Sequence, residues 1–323
     1  MMAVSLLLAA GCGGSLSHRS VADMVGGELP LEAAVQRIRV EVPTGTVGVA
    51  AGSGRTLRYG GGVRRAADTA EDLARLEAIP LELTAVLDAK EPGTLVVKAP
   101  GIGVDDPKGV FGLELGLHVP PGIPLEVKIA GSGNVTLDHR NAATKVTTAR
   151  GDLRVQWCAG ALEASTRRGN VIVIDHAGDV DVDVGVGDLQ VFVKQPDKLI
   201  RLVTGQGSLQ CHVPGSTDLE LDAAVAIGHI SNGFGFHEEK TGDYSAAMRG
   251  KRGDGRTKIV LRSGAGTVSM IPKAFGEGSG ARQGLDSMAL LTVVVFVGLI
   301  VLMVVVRLVL RARGGAANGS AER

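Results

Sequence analysis

Hydrophobic and polar residues alternate along much of the middle of the chain. Apolar side chains take every second position at residues 153–157, 171–173 and 189–193. A period of two predicts β-strands with one buried face. A longer period is superimposed on it, because a glycine followed by Asn or Asp and then by Val or Leu recurs at equal intervals, starting at positions 133, 151, 169 and 187. The pattern therefore predicts short strands that repeat.

Seven glycines mark the turns of this repeat. The first four are equally spaced, the next two follow at slightly longer intervals, and the last comes after a gap of about double length. A second column, half a period away, contains Gly160 and Gly178, so that each unit has two strands with a glycine turn before each. The repeat-turn glycines, which we expect to be structural, are Gly133, Gly151, Gly169, Gly187, Gly207, Gly228 and Gly266.

Eighteen residues, the step from Gly133 to Gly151, are too few for a parallel strand pair with a crossover helix. Strands that repeat at this spacing and share one interior predict a parallel β-solenoid. The alternative is a β-sandwich whose turns happen to be equally spaced, and three successive equal steps favour the solenoid. We predict an all-β repeat domain with one short helix on its N-terminal side and a transmembrane helix at its C-terminal end.

The pattern divides the chain into seven segments. We predict a signal-like segment at 1–12, a linker at 13–35, an N-terminal β region at 36–130 with a short helix at 66–78, and the strand repeat at 131–272. A spacer at 273–287, a transmembrane helix at 288–306 and a basic cytoplasmic tail at 307–323 follow.

Both ends of the chain carry membrane signals. The first twelve residues are an apolar run that ends at Cys12, as in a bacterial lipoprotein signal, although no Lys or Arg precedes the run. Cys12 is therefore a candidate lipidation site, and a chance cysteine in an apolar terminus is the alternative. Met288–Val306 has no charged residue over its whole length, which is enough to cross a hydrocarbon core of about 30 Å. Because Arg307, Arg311 and Arg313 follow, we expect the tail in the cytoplasm and the bulk of the protein outside.

Composition narrows the choice of partners. The 34 basic and 34 acidic residues balance, so the chain has no net charge to attract nucleic acid. Aromatic residues make up only 3% of the chain, which predicts a core of aliphatic side chains. The expected partners are the membrane and an unknown protein or glycan on a face of the solenoid.

The row of aspartates at 179–188 raises the question of a cation site. In the strand register Val180, Val182 and Val184 point inward, which leaves Asp181 and Asp183 on the solvent side. The glycine-rich nonapeptides of calcium-binding repeats are absent from the sequence. We therefore predict no metal site, and we interpret the aspartates as residues on the solvent-exposed face of the repeat.

An enzyme would need a recognisable set of catalytic residues. No nucleophile elbow, HExxH, CxxC or phosphate-binding loop occurs in the sequence, so we predict no catalytic or cofactor-binding residues and no cofactor. Asp181 with Glu163 or Asp183 could form a glycosidase-like pair. Such sites usually have aromatic sugar platforms, and the single tryptophan, Trp157, is interpreted as packed inward or at an edge.

The two cysteines of the repeat region test the register. Cys158 and Cys211 lie about three turns apart, which corresponds to roughly 14 Å between stacked strands. A disulfide needs Cα atoms within about 7 Å. We therefore predict two free thiols.

Three stretches resemble the bacterial putative-adhesin domain of unknown function, an envelope-associated family of repeated β-strands. They are RVEVPTGTVGV at 39–49, ADTAEDLARLEA at 67–78 with the following GTLVVKAP, and LELGLHVPPGIPLEVKIAGSGNVTL at 113–137. With the glycine repeats, the resemblance covers roughly residues 36–272. It implies a right-handed β-helix-like fold, a place in the cell envelope and no established active site.

Together these features lead to one functional hypothesis and two alternatives. The hypothesis is a non-enzymatic, membrane-anchored, extracytoplasmic adhesin-like binding protein, with its bulk in the periplasm or on the cell surface. The first alternative is a periplasmic envelope scaffold or stress-response regulator. The second is a carbohydrate-active enzyme built on a β-solenoid.

Overall fold

The computed structural model describes residues 18–99 and 109–273. Cys12, the predicted transmembrane helix at 288–306 and the tail at 307–323 lie outside the described residues. Within the described ranges, no helix is both long enough and apolar enough to cross a membrane. The described part consists mainly of β-strands, with one short helix.

Residues 18–99 and 109–138 contain nine strands and the helix. Strands β1 to β5 and helix α1 are β1 (His18–Pro30), β2 (Arg37–Val42), β3 (Gly45–Ala51), β4 (Thr56–Ala67), α1 (Ala70–Glu77) and β5 (Thr84–Leu87). Strands β6 to β9 are β6 (Thr94–Lys98), β7 (Val110–Val119), β8 (Leu125–Ser132) and β9 (Val135–Asp138).

The second half contains the regular repeat. Strands β10 to β15 are β10 (Thr144–Arg150), β11 (Leu153–Gln156), β12 (Leu162–Arg168), β13 (Val171–Ala177), β14 (Val180–Val186) and β15 (Leu189–Gln195). Strands β16 to β21 are β16 (Leu199–Gln206), β17 (Leu209–Pro214), β18 (Leu219–Asn232), β19 (Glu238–Lys240), β20 (Ala246–Arg252) and β21 (Thr257–Lys273).

The strands form two long ladders, here named sheet 1 and sheet 2. Sheet 1 has the order β5-β6-β2-β8-β10-β12-β14-β16-β21-β18-β20-β19. Sheet 2 has the order β1-β4-β7-β3-β9-β11-β13-β15-β17-β21-β18. All pairs between β6 and β18 in sheet 1, and between β7 and β18 in sheet 2, are parallel. This mostly parallel arrangement is the solenoid-like fold that the period predicted.

One strand of sheet 1 and the strand of sheet 2 that follows it make one rung. In five successive rungs, from β8 with β9 to β16 with β17, the chain order is also the spatial order. At both ends the order is interleaved. The rung of β2 and β3 lies between β6 with β7 and β8 with β9, and β21 lies between β16 with β17 and β18.

Alternating side chains fill the space between the sheets. In β14 the valines at 180, 182 and 184 are buried, while the residues between them face solvent. Equivalent positions stack from rung to rung, so that Val182 has Ala164 on one side and Leu202 on the other. Each aliphatic side chain of this size contributes roughly 1.5–3 kcal/mol when it is fully buried. Stacked aliphatic rows thus take the place of an aromatic core.

Antiparallel strands cap the two ends of the stack. At the N-terminal end, β5 caps sheet 1 and β4 with β1 caps sheet 2, and α1 packs against β4 and β1. At the C-terminal end, β20 and β19 cover the edge of sheet 1. Antiparallel caps leave fewer open strand edges that could pair with another chain.

Two boundaries differ from the sequence prediction. Residues 18–30, expected within the linker at 13–35, form β1, which pairs with the glycine- and arginine-rich β4. The helix predicted at 66–78 covers only Ala70–Glu77, because the Thr69 side chain caps it by accepting a hydrogen bond from the Asp72 amide. Residues 66 and 67, assigned to the helix by the sequence, belong to β4.

The cysteines occupy the positions that the register predicted. Cys158 follows β11, and Cys211 lies in β17 three rungs further along. Both are buried free thiols. Burial raises the pKa of the Cys211 thiol to about 12, so this thiol stays protonated and unreactive at neutral pH.

Candidate ligand-binding groove

The repeat-turn glycines line one corner of the solenoid. In space they follow one another in the order Gly133, Gly151, Gly169, Gly187, Gly207, Gly266 and Gly228. A Cβ added to any one of them would overlap the backbone of the glycine that comes before it in the column. Gly45 precedes Gly133 in the column, although the sequence prediction omitted it. The sequence alone could have indicated Gly45 as a member of the column, because Gly45-Thr46-Val47 repeats the string at 266–268. These glycines allow successive turns to stack closely.

The polar residue after each of these glycines joins neighbouring rungs. The Asn134 side chain accepts a hydrogen bond from the Asp152 amide at 2.8 Å, and Asp152 in turn accepts from the Asn170 amide at 2.7 Å. Asn170 and Asp188 continue this ladder with bonds of 2.9 and 2.8 Å, the last one from Ser208. Either Asn or Asp serves here because only the side-chain carbonyl oxygen is used. These side chains hold the stack together, which accounts for the G-[DN]-[VL] motif.

Charged residues of both signs form a row along the outer face of sheet 1. One row contains, in spatial order, Arg39, Glu126, Lys145, Glu163, Asp181 and Arg201. Arg39 donates to Glu126 at 2.6 Å, Lys145 pairs with Glu163, and Arg201 donates to Asp181 at 2.6 Å. Burial alone would raise the pKa of Glu126, but hydrogen bonds from Arg39 and Lys128 outweigh burial and lower this pKa. This ion-pair row forms a ridge across the strands.

A groove of about 750 Å³ runs beside this ridge. Its floor is a row of register partners, in the order Lys98, Glu41, Lys128, Thr147, Ser165 and Asp183. Six strands at about 4.8 Å spacing give the row a length of roughly 24 Å. Thr147 and Ser165 on the floor are short, and the next row contributes Ala130, Ala149, Arg167 and Gly185. A long, narrow depression of this kind fits an extended ligand.

The other side of the ridge has a smaller depression of about 600 Å³. Lys145, Glu163 and Asp181 line it, together with residues at the starts of the sheet 1 strands. Because its charged side chains already pair with one another, it offers fewer unsatisfied groups to a ligand.

Two of the carboxylates considered for catalysis, Glu163 and Asp181, lie on this ridge, and the third, Asp183, lies on the groove floor. Glu163 and Asp181 are register partners, as the period of the repeat predicted. Glu163 pairs with Lys145, whereas Arg201 donates to Asp181 and lies 3.9 Å from Asp183. Among the described residues, no three His, Cys, Asp or Glu side chains are grouped closely enough to hold a metal ion.

Trp157 lies at an edge of the solenoid and not in its interior. Its ring is tilted against that of His139, with 5.0 Å between the ring centroids, and 51% of the residue is exposed. Both residues have positive φ angles, 50° for Trp157 and 52° for His139, at equivalent positions of the repeat. The Trp157 side chain is therefore not packed inward, but lies half-exposed at the corner that follows β11.

The outer face of sheet 2 carries a separate, more apolar surface. Phe192 stacks on His212 with a centroid distance of 4.1 Å, and Ile271 is the next register partner. The Lys273 ammonium lies 4.4 Å from the centre of the Phe192 ring. Burial, and to a smaller extent the charge of Lys273, lowers the pKa of His212 to about 4.

We expect His212 to make the solenoid less stable as the pH falls from about 6.5 to about 4. Its folded pKa of about 4 lies below the value near 6.5 of an unfolded chain, so the unfolded state binds the extra proton in this window. Solvent access limits the effect to roughly 1–2 kcal/mol. Urea unfolding of the wild type and of His212→Phe at pH 7, 6, 5 and 4.5 measures it. His176 remains in both proteins, and parallel stability curves would contradict the assignment.

The described part of the chain is a parallel, solenoid-like β-protein with a ligand-sized groove on one face. No family model matches the chain, and no curated protein matches it.

Several solved structures are similar to the chain at low identity. A putative cell adhesion protein from Clostridium sporogenes is 12% identical, with 77% of this chain and 99% of that chain covered and a TM-score of 0.33. A putative adhesin from Bacteroides fragilis is 13% identical, with 79% and 98% covered and a TM-score of 0.31. A putative lipid binding protein from Parabacteroides distasonis is 12% identical, with 80% and 96% covered and a TM-score of 0.34. At these identities and TM-scores, the function of this chain has to be inferred from its own residues.

Proposed function

We propose that the chain is a non-enzymatic, adhesin-like binding protein that holds an extended ligand in the groove on sheet 1. The observation that carries this proposal is the continuous groove of about 750 Å³, whose floor crosses six strands. Strands on either side of each floor strand fix the backbone, so the groove is preformed and a ligand would not have to order it. The ion pairs of Glu163 and Asp181 leave the ridge without an unpaired carboxylate couple, which favours binding over glycoside hydrolysis.

The proposal extends to location and anchoring. A charge-free segment at 288–306 with a basic flank supports a membrane helix, with the solenoid outside the cytoplasm and the tail inside. Lipidation of Cys12 would add a second anchor, and the coil of the solenoid is proposed to be right-handed. An anchor of this kind suits a protein that presents its groove to a partner outside the membrane.

Filling the groove tests the proposed function. Thr147→Trp places a large ring on the groove floor, and we expect at least a fivefold loss of adhesion by cells that express the full chain. Thr136→Trp is the matched control, because Thr136 faces outward from the middle of sheet 2. Adhesion is counted on surfaces coated with collagen, fibronectin, or anionic and neutral polysaccharides, and surface protease treatment checks that each variant is exported. Equal adhesion by the two variants on every surface would overturn the proposal.

A further inference from the structure

Three arginines at the ends of β10 and β12 have no partner, and one of them, Arg167, lines the groove. The guanidinium groups of Arg150, Arg167 and Arg168 make no hydrogen bond or ion pair with the described residues, and all three side chains are exposed. Two other arginines on sheet 1 have carboxylate partners, as Arg39 has Glu126 and Arg262 has Asp222. The chain has no net charge, so this cluster is a local excess of positive charge.

The fold positions two of these arginines by the same repeated device. Arg150 and Arg168 are register partners on β10 and β12, so their Cα atoms are about 4.8 Å apart. The Thr148 hydroxyl donates to the carbonyl of Arg150 at 3.2 Å, and the Thr166 hydroxyl donates to the carbonyl of Arg168 at 3.1 Å. Like charges on adjacent strands are destabilising. Two fixed cations without a carboxylate partner are therefore explained better by a ligand than by stability.

The third arginine connects the pair to the groove. Arg167 lines the groove, in which Ser165 and Thr147 are neighbouring floor residues on β12 and β10. Hydroxyl groups donate and accept hydrogen bonds, and guanidinium groups bind carboxylates or sulfates, often in a bidentate manner. An extended molecule along this floor would have hydroxyl partners below it and the Arg167 guanidinium beside it, with Arg150 and Arg168 at the adjoining strand ends.

We propose that this part of the groove binds a linear anionic polysaccharide, whose acidic groups contact Arg150, Arg167 and Arg168 and whose hydroxyls contact Thr147 and Ser165. This inference rests on the proposed binding function of the groove and names its ligand class.

The geometry disfavours other anionic chains. Single-stranded nucleic acid binds by stacking its bases on aromatic side chains, and the described residues that line the groove include no aromatic residue. An acidic peptide in extended form generally adds to a free sheet edge through backbone hydrogen bonds. The groove instead lies on a face whose strands, from β2 to β14, are already paired on both sides.

Calorimetry with the full chain in detergent tests the ligand class. The probes are oligogalacturonate and chondroitin sulfate fragments, with maltooligosaccharides of equal length as the neutral comparison. We expect at least one anionic probe to bind, with an affinity that falls as salt is added, and the neutral probe to bind at least tenfold more weakly. The triple variant Arg150→Gln, Arg167→Gln and Arg168→Gln should lose about tenfold or more in affinity, because it removes three charge-assisted contacts.

A matched triple variant removes the same charge elsewhere. Arg154→Gln, Arg249→Gln and Arg256→Gln should leave the affinity within twofold, since these exposed arginines lie away from the groove. Equal losses in both triple variants, equal binding of the neutral probe, or equally tight binding of a single-stranded DNA oligomer would each overturn the proposal. If neither anionic probe binds while Thr147→Trp still abolishes adhesion, the groove function stands and the ligand class is wrong. If Thr147→Trp also has no effect on adhesion, the proposed function itself fails.

Discussion

Replacing Gly169 by alanine is expected to destabilise the solenoid by about 3 kcal/mol or more. Gly169 has a φ of +139°, which side chains with a Cβ rarely adopt. A Cβ there would overlap the carbonyl oxygen of Gly151 and lie 2.5 Å from its carbonyl carbon. Because both atoms belong to the backbone of the preceding rung, the clash can be relieved only if two rungs separate. The same shift would break the hydrogen bond from the Asn170 amide to Asp152.

Gly48 provides the matched control for this substitution. It lies in β3, has no positive φ, and the nearest atom to an added Cβ is the Leu115 carbonyl oxygen at 4.0 Å. Gly48→Ala should therefore be neutral, or stabilising by roughly 0.5 kcal/mol through the lower entropy of the unfolded chain. Urea unfolding followed by circular dichroism compares the two variants. Similar midpoints for Gly169→Ala and Gly48→Ala would show that the turns are not stacked as closely as described.

The central rungs could be predicted from the sequence because the signal there is strictly periodic. The G-[DN]-[VL] column predicted the register of β10 with β12 and of β12 with β14, including the pairing of Glu163 with Asp181. The period predicts the register because the glycine and the polar residue after it both contact the adjacent rung.

The interleaved ends could not be predicted from the same signal. Spacing along the chain says how long a rung is, but not on which edge of the growing stack a strand is added. Gly266 therefore follows Gly228 in sequence and precedes it in space. β1 was missed for a different reason. Its partner β4 contains three consecutive glycines at 60–62, and neither strand shows a clean alternation of apolar and polar residues.

The groove was only partly visible in the sequence. Polar rows on the outer faces were predicted. The groove, however, depends on short side chains that occupy the same position in neighbouring rungs. Thr147, Ser165 and Asp183 occupy equivalent positions of successive units, as do Arg150 and Arg168, so an aligned repeat would have shown both features. The absence of partners for the arginines is a property of side-chain positions, which a single sequence does not specify.

Replacing Arg140 by methionine is expected to cost about 3 kcal/mol of unfolding free energy. Only 1% of Arg140 is exposed, and burial lowers its pKa because no described carboxylate pairs with it. Its guanidinium donates to the carbonyls of Val119, Pro120 and Ile123, at 3.3, 3.1 and 2.6 Å. These bonds hold the turn between β7 and β8.

Two opposing contributions decide the sign of this effect. Removing a buried charge recovers its desolvation cost, which is several kcal/mol, but the substitution leaves the carbonyls of Pro120 and Ile123 without a donor, each worth roughly 1–3 kcal/mol, whereas the Val119 carbonyl still accepts from the Gly52 amide. We expect the carbonyls to dominate, since methionine fills the space but donates no hydrogen bond. Arg140→Lys should lose about half as much, because one ammonium group cannot reach carbonyls on both sides of the turn. Arg154→Met, on the exposed face of sheet 2, controls for the lost charge and should change stability by less than about 0.5 kcal/mol. If urea unfolding finds Arg140→Met as stable as the wild type, then water replaces the guanidinium, and the packing of the turn is determined by its prolines instead.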